Sequence, residues 1–427
     1  MIRILDYENK EEIVQLLNSR SVGVNKDITA KVEAIIEQVA KEGDKAVRDF
    51  TMQFDGVQLD NMQMSQADID AACSQVSPEL MQALEEAAAN IRSFHEQQKQ
   101  RSYIVTGEDS IIMGQRVRAL KRVGLYVPGG TAAYPSSVLM NAIPAKVAGV
   151  EELIMVTPPS RDGKVNANVL AAAKIAGVDK IYNIGGAQAV AALALGTESI
   201  PKVDKIVGPG NIFVATAKRL LYGTVDIDMI AGPSEILIVC DESADPKFLA
   251  ADMMSQAEHD KMASSIVLCT TRELAERIDA EVQRQLTYLS RTEIIHKSLE
   301  DYGVIVVCGN VDNALELANQ VAPEHLELML DDPFRYLGKV DNAGSIFMGH
   351  YSPEPLGDYF AGPNHVLPTN GTARFFSPLS VDSFIKKSSY LFYSREALEK
   401  AKDKITTIAR SEGLDAHANS ITVRFED

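Results

Sequence analysis

The stretch Glu235–Asp260, EILIVCDESADPKFLAADMMSQAEHD, decides how the rest of this 427-residue chain is organised. Its apolar run, Ile236–Cys240, predicts a β-strand. Asp245 followed by Pro246 is the pattern of a helix N-cap and first helical residue, so a helix is predicted to begin there. A strand that leads into a helix is the repeating unit of an α/β protein.

The end of this predicted helix carries two polar side chains on its inward face. Leu249 and Met253 form an apolar stripe with a four-residue step, and Gln256 and His259 continue that stripe. An unpaired amide or imidazole in a core costs about 1–3 kcal/mol, so both side chains need partners. A metal ion would supply them, and so would hydrogen bonds within an ordinary helix. These residues alone leave both interpretations open.

Two sets of short β runs alternate with helices, which predicts an α/β fold with parallel sheets. The first set has strands Val123–Val127, Leu153–Val156, Lys180–Ile184 and Lys205–Val207, with helices Ser136–Ala148, Ala167–Ala176, Ala187–Leu195 and Ile212–Leu221. The second set has strands Ile236–Cys240, Ser265–Thr270, Val304–Cys308, Leu326–Leu330 and Ser345–Met348. Around them lie helical patterns at Ile28–Phe50, Pro78–Gln98 and Arg395–Arg410, a long loop at Tyr351–Ser380 and a tail at Ser411–Asp427.

The composition, with 46% hydrophobic and 24% charged residues, is that of a globular protein. No apolar run approaches the roughly 20 residues that cross a bilayer, and the charged first nine residues argue against a secretory leader. A net charge of −17 argues against nucleic-acid and membrane partners. Cys73, Cys240, Cys269 and Cys308 lack disulfide or zinc-ribbon spacing, so we expect a reducing cytoplasm.

Glycine-containing turns follow three strands of the first set, at Gly129-Gly130, Gly185-Gly186 and Gly208-Pro-Gly-Asn211. Such turns locate the crevice where α/β sheets bind ligands, although a tight turn needs glycine without any ligand. None of the three completes the GxGxxG dinucleotide pattern. The turn Gly232-Pro-Ser234, between the two sets, either lines a cleft or acts as a plain hinge.

Three further pairs of side chains are candidates for chemistry. Glu324 and His325 follow a proline and suit acid–base catalysis. The other two pairs are Asp358 with His365, in the long loop, and Glu412 with His417, in a predicted turn near the chain end. They suit zinc ligation or contact with a neighbouring subunit, and equally suit exposed polar turns.

With these segments in place, the chain closely resembles the histidinol dehydrogenase family. The resemblance spans nearly the whole chain, shows no departure at a position that the family uses, and is densest in IDMIAGPSEILIV, MSQAEHD, APEHLEL, NAGSIF, PLGDYFAGPNHVLPT and EGLDAHANSI. It implies two incomplete Rossmann-like domains with small N- and C-terminal accessory pieces. The implied boundaries are 1–24 for the N-terminal piece, 25–118 with 236–380 for one domain, 119–235 for the NAD-binding domain, and 381–427 for a C-terminal helical arm swapped in a homodimer.

The resemblance also implies roles for individual residues. One zinc ion per subunit is expected on Gln256, His259, Asp358 and His417, with His417 supplied by the partner subunit. Glu324 and His325 match the acid–base pair. The residues that hold the substrate, besides His325 and the zinc ligands, match Ser234, His365 and Glu412. The residues that contact NAD match Tyr126, Gln188 and Asn211.

The implied reaction is the four-electron oxidation of L-histidinol through the aldehyde to L-histidine, with two NAD and one water. Zinc would anchor the imidazole and amine nitrogens of the substrate. We expect His325 to accept the alcohol proton and Glu324 to activate the water. Three other classes compete with this interpretation: an oxidoreductase with a cysteine nucleophile, a zinc hydrolase, and a non-catalytic binding protein of the same fold.

Overall fold

The computed structural model describes residues 2–9, 11–12, 26–129 and 134–426. The first part of the chain contains β1 (Arg3–Asp6), α1 (Lys26–Glu42), α2 (Asp44–Asp55), α3 (Gln66–Cys73), α4 (Pro78–Glu96), β2 (Tyr103–Thr106) and β3 (Ile112–Ala119). The middle part contains β4 (Arg122–Tyr126), α5 (Pro135–Ala148), β5 (Glu152–Val156), α6 (Ala167–Ala176), β6 (Lys180–Tyr182), α7 (Gly186–Leu195), β7 (Lys205–Val207), α8 (Ile212–Leu221) and β8 (Asp226–Ile227).

The last part begins at the strand and helix of the deciding stretch. It contains β9 (Glu235–Cys240), α9 (Pro246–Ala257), β10 (Ser264–Cys269), α10 (Arg272–Leu286), α11 (Thr292–Tyr302), β11 (Gly303–Val307), α12 (Val311–Val321), β12 (His325–Met329), α13 (Phe334–Leu337), β13 (Ser345–Met348), α14 (Glu354–Tyr359), β14 (Ile385–Phe392), α15 (Arg395–Ser411) and α16 (Asp415–Thr422). No helix among the described residues is both long and apolar enough to cross a bilayer.

The chain forms two compact units, of which the larger comprises residues 1–98 and 120–384. It contains two wholly parallel sheets, in the orders β1-β11-β10-β9-β12-β13 and β6-β5-β4-β7-β8. Counted from its own first βα pair, each sheet has the strand order 3-2-1-4-5, with β1 added at one edge of the first. This is the Rossmann order without its sixth strand. The predicted α/β class with two incomplete Rossmann-like sheets is therefore confirmed.

The central strands are buried because helices cover both faces of each sheet. Every residue of β9 and β10 is buried, as expected where parallel strands have no solvent-facing side. The helix α9 begins as predicted, since Asp245 accepts a hydrogen bond from the backbone N–H of Lys247 and Pro246 occupies the first turn.

The N-terminal helices pack on a different sheet from the one expected. Val32 and Val47 share a core with Tyr126 and Ile184, while Leu84 and Ile91 share one with Val123 and other residues of the β4–β8 sheet. Residues 26–96 therefore cover the sheet of 119–235 and not the sheet of 236–380. Helical periodicity shows that a helix has an apolar face, but not which surface that face meets.

The smaller unit comprises residues 99–119 and 385–427. This unit contains an antiparallel sheet in the order β14-β3-β2, together with the helices α15 and α16. Ser394 caps α15 by accepting from the N–H of Ala397. The expected helical arm thus begins with a strand, β14, which pairs with β3, and β3 pairs in turn with β2. Residues 99–118 therefore belong with the C-terminal unit and not, as the resemblance implied, with residues 236–380.

Other local expectations need correction. A short helix, α14, lies within the predicted loop Tyr351–Ser380, and α16 occupies the predicted C-terminal turn. Gly43, at a φ of +55°, separates α1 from α2 where one long helix was predicted. Most of the accessory segment 1–24 lies outside the described residues, although its residues 3–6 form β1 beside β11. Gly130 also lies outside them.

Candidate active site

The candidate chemical groups gather at the amino ends of β9 and β12. These two strands are neighbours, with His325 opposite Ile236 in the register. Glu324 and His325 stand at the start of β12, and Ser234 directly precedes β9. A helix after a parallel strand runs back toward the strand's start, so the end of α9 brings Gln256 and His259 to the same edge. We call the cavity of about 410 Å³ at this edge the amino-edge cleft; its lining includes Ser234, His259, Glu324, His325, Asp358 and His365.

His325 is held in one orientation inside the protein. Its side chain is 5% exposed, and its Nδ1 lies 3.0 Å from the carbonyl oxygen of Glu235. Because a carbonyl only accepts hydrogen bonds, the ring hydrogen of neutral His325 belongs on Nδ1. Nε2 is left with a free lone pair and has no hydrogen-bond partner among the described residues. Burial lowers the pKa of His325 to about 4, so the ring is neutral at physiological pH.

Glu324 is a buried carboxyl group beside this imidazole. One oxygen accepts the backbone N–H of Glu235 at 2.9 Å and lies 3.7 Å from Nδ1 of His325. Burial raises the pKa of Glu324 well above its ordinary value, and the neighbouring carboxyl groups of Glu235 and Asp358 add to the increase. A carboxyl group with a raised pKa holds a proton more tightly than an ordinary one and, when ionised, is the stronger base.

Nitrogen and oxygen donors converge beside Nε2 of His325. Ligand atoms of His259, Glu354 and Asp358 all lie within 4.8 Å of one another. Gln256 is fully buried, and neither atom of its amide has a hydrogen-bond partner in the described part of the chain. Such an amide needs a polar partner, and the mixed donors suit zinc, so the residues fit a bound cation. Gln256 lies in the last turn of α9 and is buried, as predicted. His259 lies two residues beyond the helix and is exposed, so the prediction that it continues the inward face of the helix is wrong.

Glu354 is the residue that the sequence prediction missed. It is 1% exposed, and one carboxyl oxygen lies 3.9 Å from Nε2 of His325. Its backbone N–H donates to Glu327 at 2.8 Å. Burial raises the pKa of Glu354 to about 9, with the charge of Asp358 as the next cause. The spacing of Glu354 and Asp358 is the i, i+4 spacing of one helix face, which becomes visible once α14 is recognised.

His365 supports Asp358 from the following loop. Its Nδ1 lies 3.0 Å from the backbone carbonyl oxygen of Asp358 and 3.7 Å from a side-chain oxygen of the same residue. The structure thus places the predicted acid–base and substrate-binding residues of the larger unit in one cleft with His259 and Asp358; they are Ser234, Glu324, His325 and His365. Glu412 and His417 belong to the smaller unit, where both are exposed and line a cavity of about 650 Å³ together with Ile408 and Leu414.

A second cavity, of about 690 Å³, lies at the carboxyl ends of β4 and its neighbours, and we call it the cofactor cavity. It contains all three predicted NAD contacts, Tyr126, Gln188 and Asn211. Gln188 is 1% exposed and its amide atoms have no partner among the described residues. The hydroxyl of Tyr126 accepts the N–H of Gly186 at 3.1 Å, and burial raises its pKa to about 12. An unpaired amide in a cavity at the switch point of a Rossmann-like sheet fits a dinucleotide.

The glycine turn before Asn211 is held by a buried ion pair. Gly208 has a φ of +107°, and a Cβ there would lie 2.1 Å from the carbonyl oxygen of Tyr126, so only glycine fits. Its N–H donates to Asp228 at 2.8 Å, and its carbonyl accepts from Lys218 at 2.9 Å. Lys218 and Asp228 pair directly, with side chains 5% and 2% exposed. The pair therefore fixes the peptide that leads into α8.

The cysteine alternative finds no support in the structure. Cys240, Cys269 and Cys308 are buried, and burial raises the pKa of each thiol, to about 11 for Cys269 and about 12 for Cys308. A nucleophilic cysteine needs the opposite shift.

Comparisons with known proteins agree on one family. The family model described as histidinol dehydrogenase matches residues 18–425. The chain is 58% identical to the histidinol dehydrogenase of Clostridium acetobutylicum, over 97% of this chain and 96% of that protein. It is 54% identical to the one of Listeria monocytogenes over the full length of both. The crystal structure of histidinol dehydrogenase from Elizabethkingia anophelis superposes with a TM-score of 0.94 at 37% identity, covering 99% of this chain and 98% of that one.

The hydrogen bonds from the Lys218–Asp228 ion pair to Gly208 predict an effect on the stability of the fold. Asp228→Asn should lower the free energy of unfolding by about 3–5 kcal/mol, because Lys218 would keep a buried charge without its partner. Asp70→Asn, which breaks the exposed pair with Lys174, is the matched control and should change stability far less, because solvent screens that pair. Urea unfolding of both variants measures the difference; equal effects would show that the pair does not hold the turn.

Proposed function

Because the chain belongs to the histidinol dehydrogenase family, the NAD-dependent oxidoreductases of the last step of histidine biosynthesis, we propose that L-histidinol is oxidised in the amino-edge cleft. The observation that carries this assignment is the unpartnered Nε2 of neutral His325 beside the donors of His259, Glu354 and Asp358. The alcohol passes through the aldehyde to the carboxylate, with loss of four electrons and uptake of one water. Family membership also argues against the hydrolase and binding-protein alternatives.

His325 is the base of the first oxidation in this proposal. Its Nδ1–H stays on the carbonyl of Glu235, so Nε2 receives the proton of the substrate hydroxyl as the carbon is oxidised. Its lowered pKa keeps Nε2 free before the reaction. The fixed tautomer means that the protein need not rotate the ring between steps.

Glu324 handles the proton of the attacking water in the second oxidation. Its carboxyl group is anchored to the N–H of Glu235 and keeps a fixed position next to His325. The raised pKa makes the ionised carboxylate a stronger base toward the water proton than an ordinary carboxylate. Glu235 thus orients both members of the pair through its backbone, with the N–H serving Glu324 and the carbonyl serving His325.

We assign the zinc site to Gln256, His259 and Asp358, with His417 of the partner subunit as the fourth protein ligand. Zinc, when bound, polarises and orients the imidazole and amine nitrogens of the substrate. The carboxyl group of Glu354 interacts with that of Asp358 and would hold it in position. Ser234, His365 and Glu412 would contact the substrate. The intersubunit arrangement implies a domain-swapped homodimer, and family resemblance is what supports that part of the proposal.

NAD is assigned to the cofactor cavity, on Tyr126, Gln188 and Asn211. When bound there, NAD would supply the hydride acceptor for each of the two oxidations. The buried, unpaired amide of Gln188 supports the assignment most directly. The side-chain oxygen of Asn211 already caps α8 through the N–H groups of Phe213 and Val214, so only its amide nitrogen remains for a ligand.

A cytoplasmic location is also proposed, since free thiols suit a reducing compartment.

Removal of metal should abolish turnover, and zinc should restore it. Glu354→Gln should weaken zinc binding by about 10- to 100-fold, because a residue that orients a ligand affects affinity to that extent. The measurement is competition with a chromophoric chelator, which does not depend on turnover. Glu258→Gln makes the same substitution beside His259 and should leave affinity nearly unchanged. Full activity of metal-free protein would contradict the zinc assignment.

His325→Gln should lower kcat by a factor on the order of 10² to 10⁴, because the proton acceptor is lost.

Wild-type protein should form two NADH per L-histidine and lose activity only well below pH 6, as protonation of His325 follows its lowered pKa. The check is NADH absorbance across pH at constant zinc content. A variant with unchanged kcat, or an acidic limb at the ordinary histidine pKa, would refute the role.

Mixed dimers test whether His417 acts across the subunit interface. His417→Asn and His325→Asn should each be inactive alone. After subunit exchange, about a quarter of wild-type activity should return, since half of the dimers are mixed and one of their two sites is intact. Differently tagged subunits verify the exchange. Verified exchange without recovered activity would place His417 in a site made by one chain.

A further inference from the structure

The cofactor cavity contains one acidic side chain among its described lining residues, and the proposed chemistry does not use it. Asp55 is the last residue of α2 and lies next to Phe54 in the wall of the cavity. Its Oδ2 is shielded from solvent and has no hydrogen-bond partner in the described part of the chain. A shielded carboxylate oxygen without a donor is destabilising, so the position calls for a ligand that brings one.

The neighbours of Asp55 do not neutralise it. Burial raises the pKa of Asp55, and no residue in the described ranges offsets that increase. The nearby Tyr126 has its own pKa raised further by the charge of Asp55. Arg161 is the one basic residue among the described lining, and it is exposed. The cavity therefore offers a hydrogen-bond acceptor at Asp55 and a cation at its rim, which together match a ligand with hydroxyl groups and a diphosphate.

The position of Asp55 indicates which half of a dinucleotide it meets. The cofactor cavity and the amino-edge cleft share Pro128 and Gly129 in their linings, so the nicotinamide must lie toward these residues to reach the substrate. No described residue of α2 lines the amino-edge cleft. Phe54 and Asp55 belong to the part of the cavity outside that shared region, where the adenosine half would lie.

We propose that Asp55 selects the dinucleotide that lacks a 2′-phosphate, by accepting hydrogen bonds from the hydroxyl groups of the adenosine ribose. A 2′-phosphate would replace a donor with an anion and would face the carboxylate. Rossmann-like enzymes usually place such an acid after the second strand of the sheet; here a helix that precedes the sheet supplies it. The inference rests on the proposed position of the cofactor at Tyr126, Gln188 and Asn211.

The test compares the binding of NADH and NADPH to the zinc-loaded enzyme. The chain has no tryptophan, so the emission of the reduced nicotinamide can be followed without interference. Wild-type protein should bind NADH at least about tenfold more tightly than NADPH. Asp55→Asn removes the charge but keeps the shape, and should reduce this preference by about tenfold, since one charged hydrogen bond is worth about that factor. Asp55→Glu should retain the preference.

Two controls separate this inference from the assignment of the cavity. Asp49→Asn, on the same helix but exposed and paired with Lys45, should leave the preference unchanged. Gln188→Ala should weaken both cofactors equally. An unchanged preference in Asp55→Asn, with weakened binding in Gln188→Ala, would overturn the role of Asp55 alone. Unchanged binding in Gln188→Ala would overturn the cavity assignment itself.

Discussion

The structure depends on burying several acidic groups at one sheet edge without basic partners. Glu324, Glu327 and Glu354 are each 6% exposed or less, and burial raises the pKa of all three. In the described part of the chain, the ion pairs recorded for Glu324 and Glu354 are with the His325 imidazole. A buried carboxylate is tolerated when it is neutral, hydrogen-bonded or bound to a cation. A divalent ion bound at the proposed site of Gln256, His259 and Asp358 would lower the electrostatic repulsion between these neighbouring carboxyl groups.

The topology brings these groups to an unusual edge. Ligands of open α/β sheets ordinarily bind at the carboxyl ends of the strands, and the β4–β8 sheet follows that rule with Tyr126 and the Gly208 turn. The β9–β13 sheet has the same strand order but places Glu324 and His325 at the amino ends. The cause lies in the stretch Glu235–Asp260, because α9 runs antiparallel to β9. The end of α9 therefore places Gln256 and His259 at the edge of the sheet where β9 begins.

The sequence predicted the individual helices and strands of this fold better than it predicted which of them pack together. Asp245-Pro246 marked the start of α9, and the apolar run Ile236–Cys240 marked a central strand, because both signals act within a few residues. The packing of α1–α4 against the β4–β8 sheet was not predicted, because the sequence of a helix shows that it has an apolar face but not which sheet that face will contact. The short helix α14 was missed among prolines and glycines, and Glu354 was missed with it. The residue roles came from family resemblance, and the structure adds geometry to them.

Two cavities that share Pro128 and Gly129 suit a reaction with two successive oxidations. If one cavity held both substrate and cofactor, replacing the spent cofactor would also release the aldehyde. Under the proposed assignment, the amino-edge cleft retains the substrate on side chains of one sheet, while the cofactor cavity opens on the other. Exchange through the second cavity then leaves His325 and the zinc donors undisturbed. Glu324 and His325, the proposed acid–base pair, lie at the β9–β13 sheet and are both hydrogen-bonded to the backbone of Glu235. Under the same assignment, exchange of the cofactor would therefore leave their orientation unchanged.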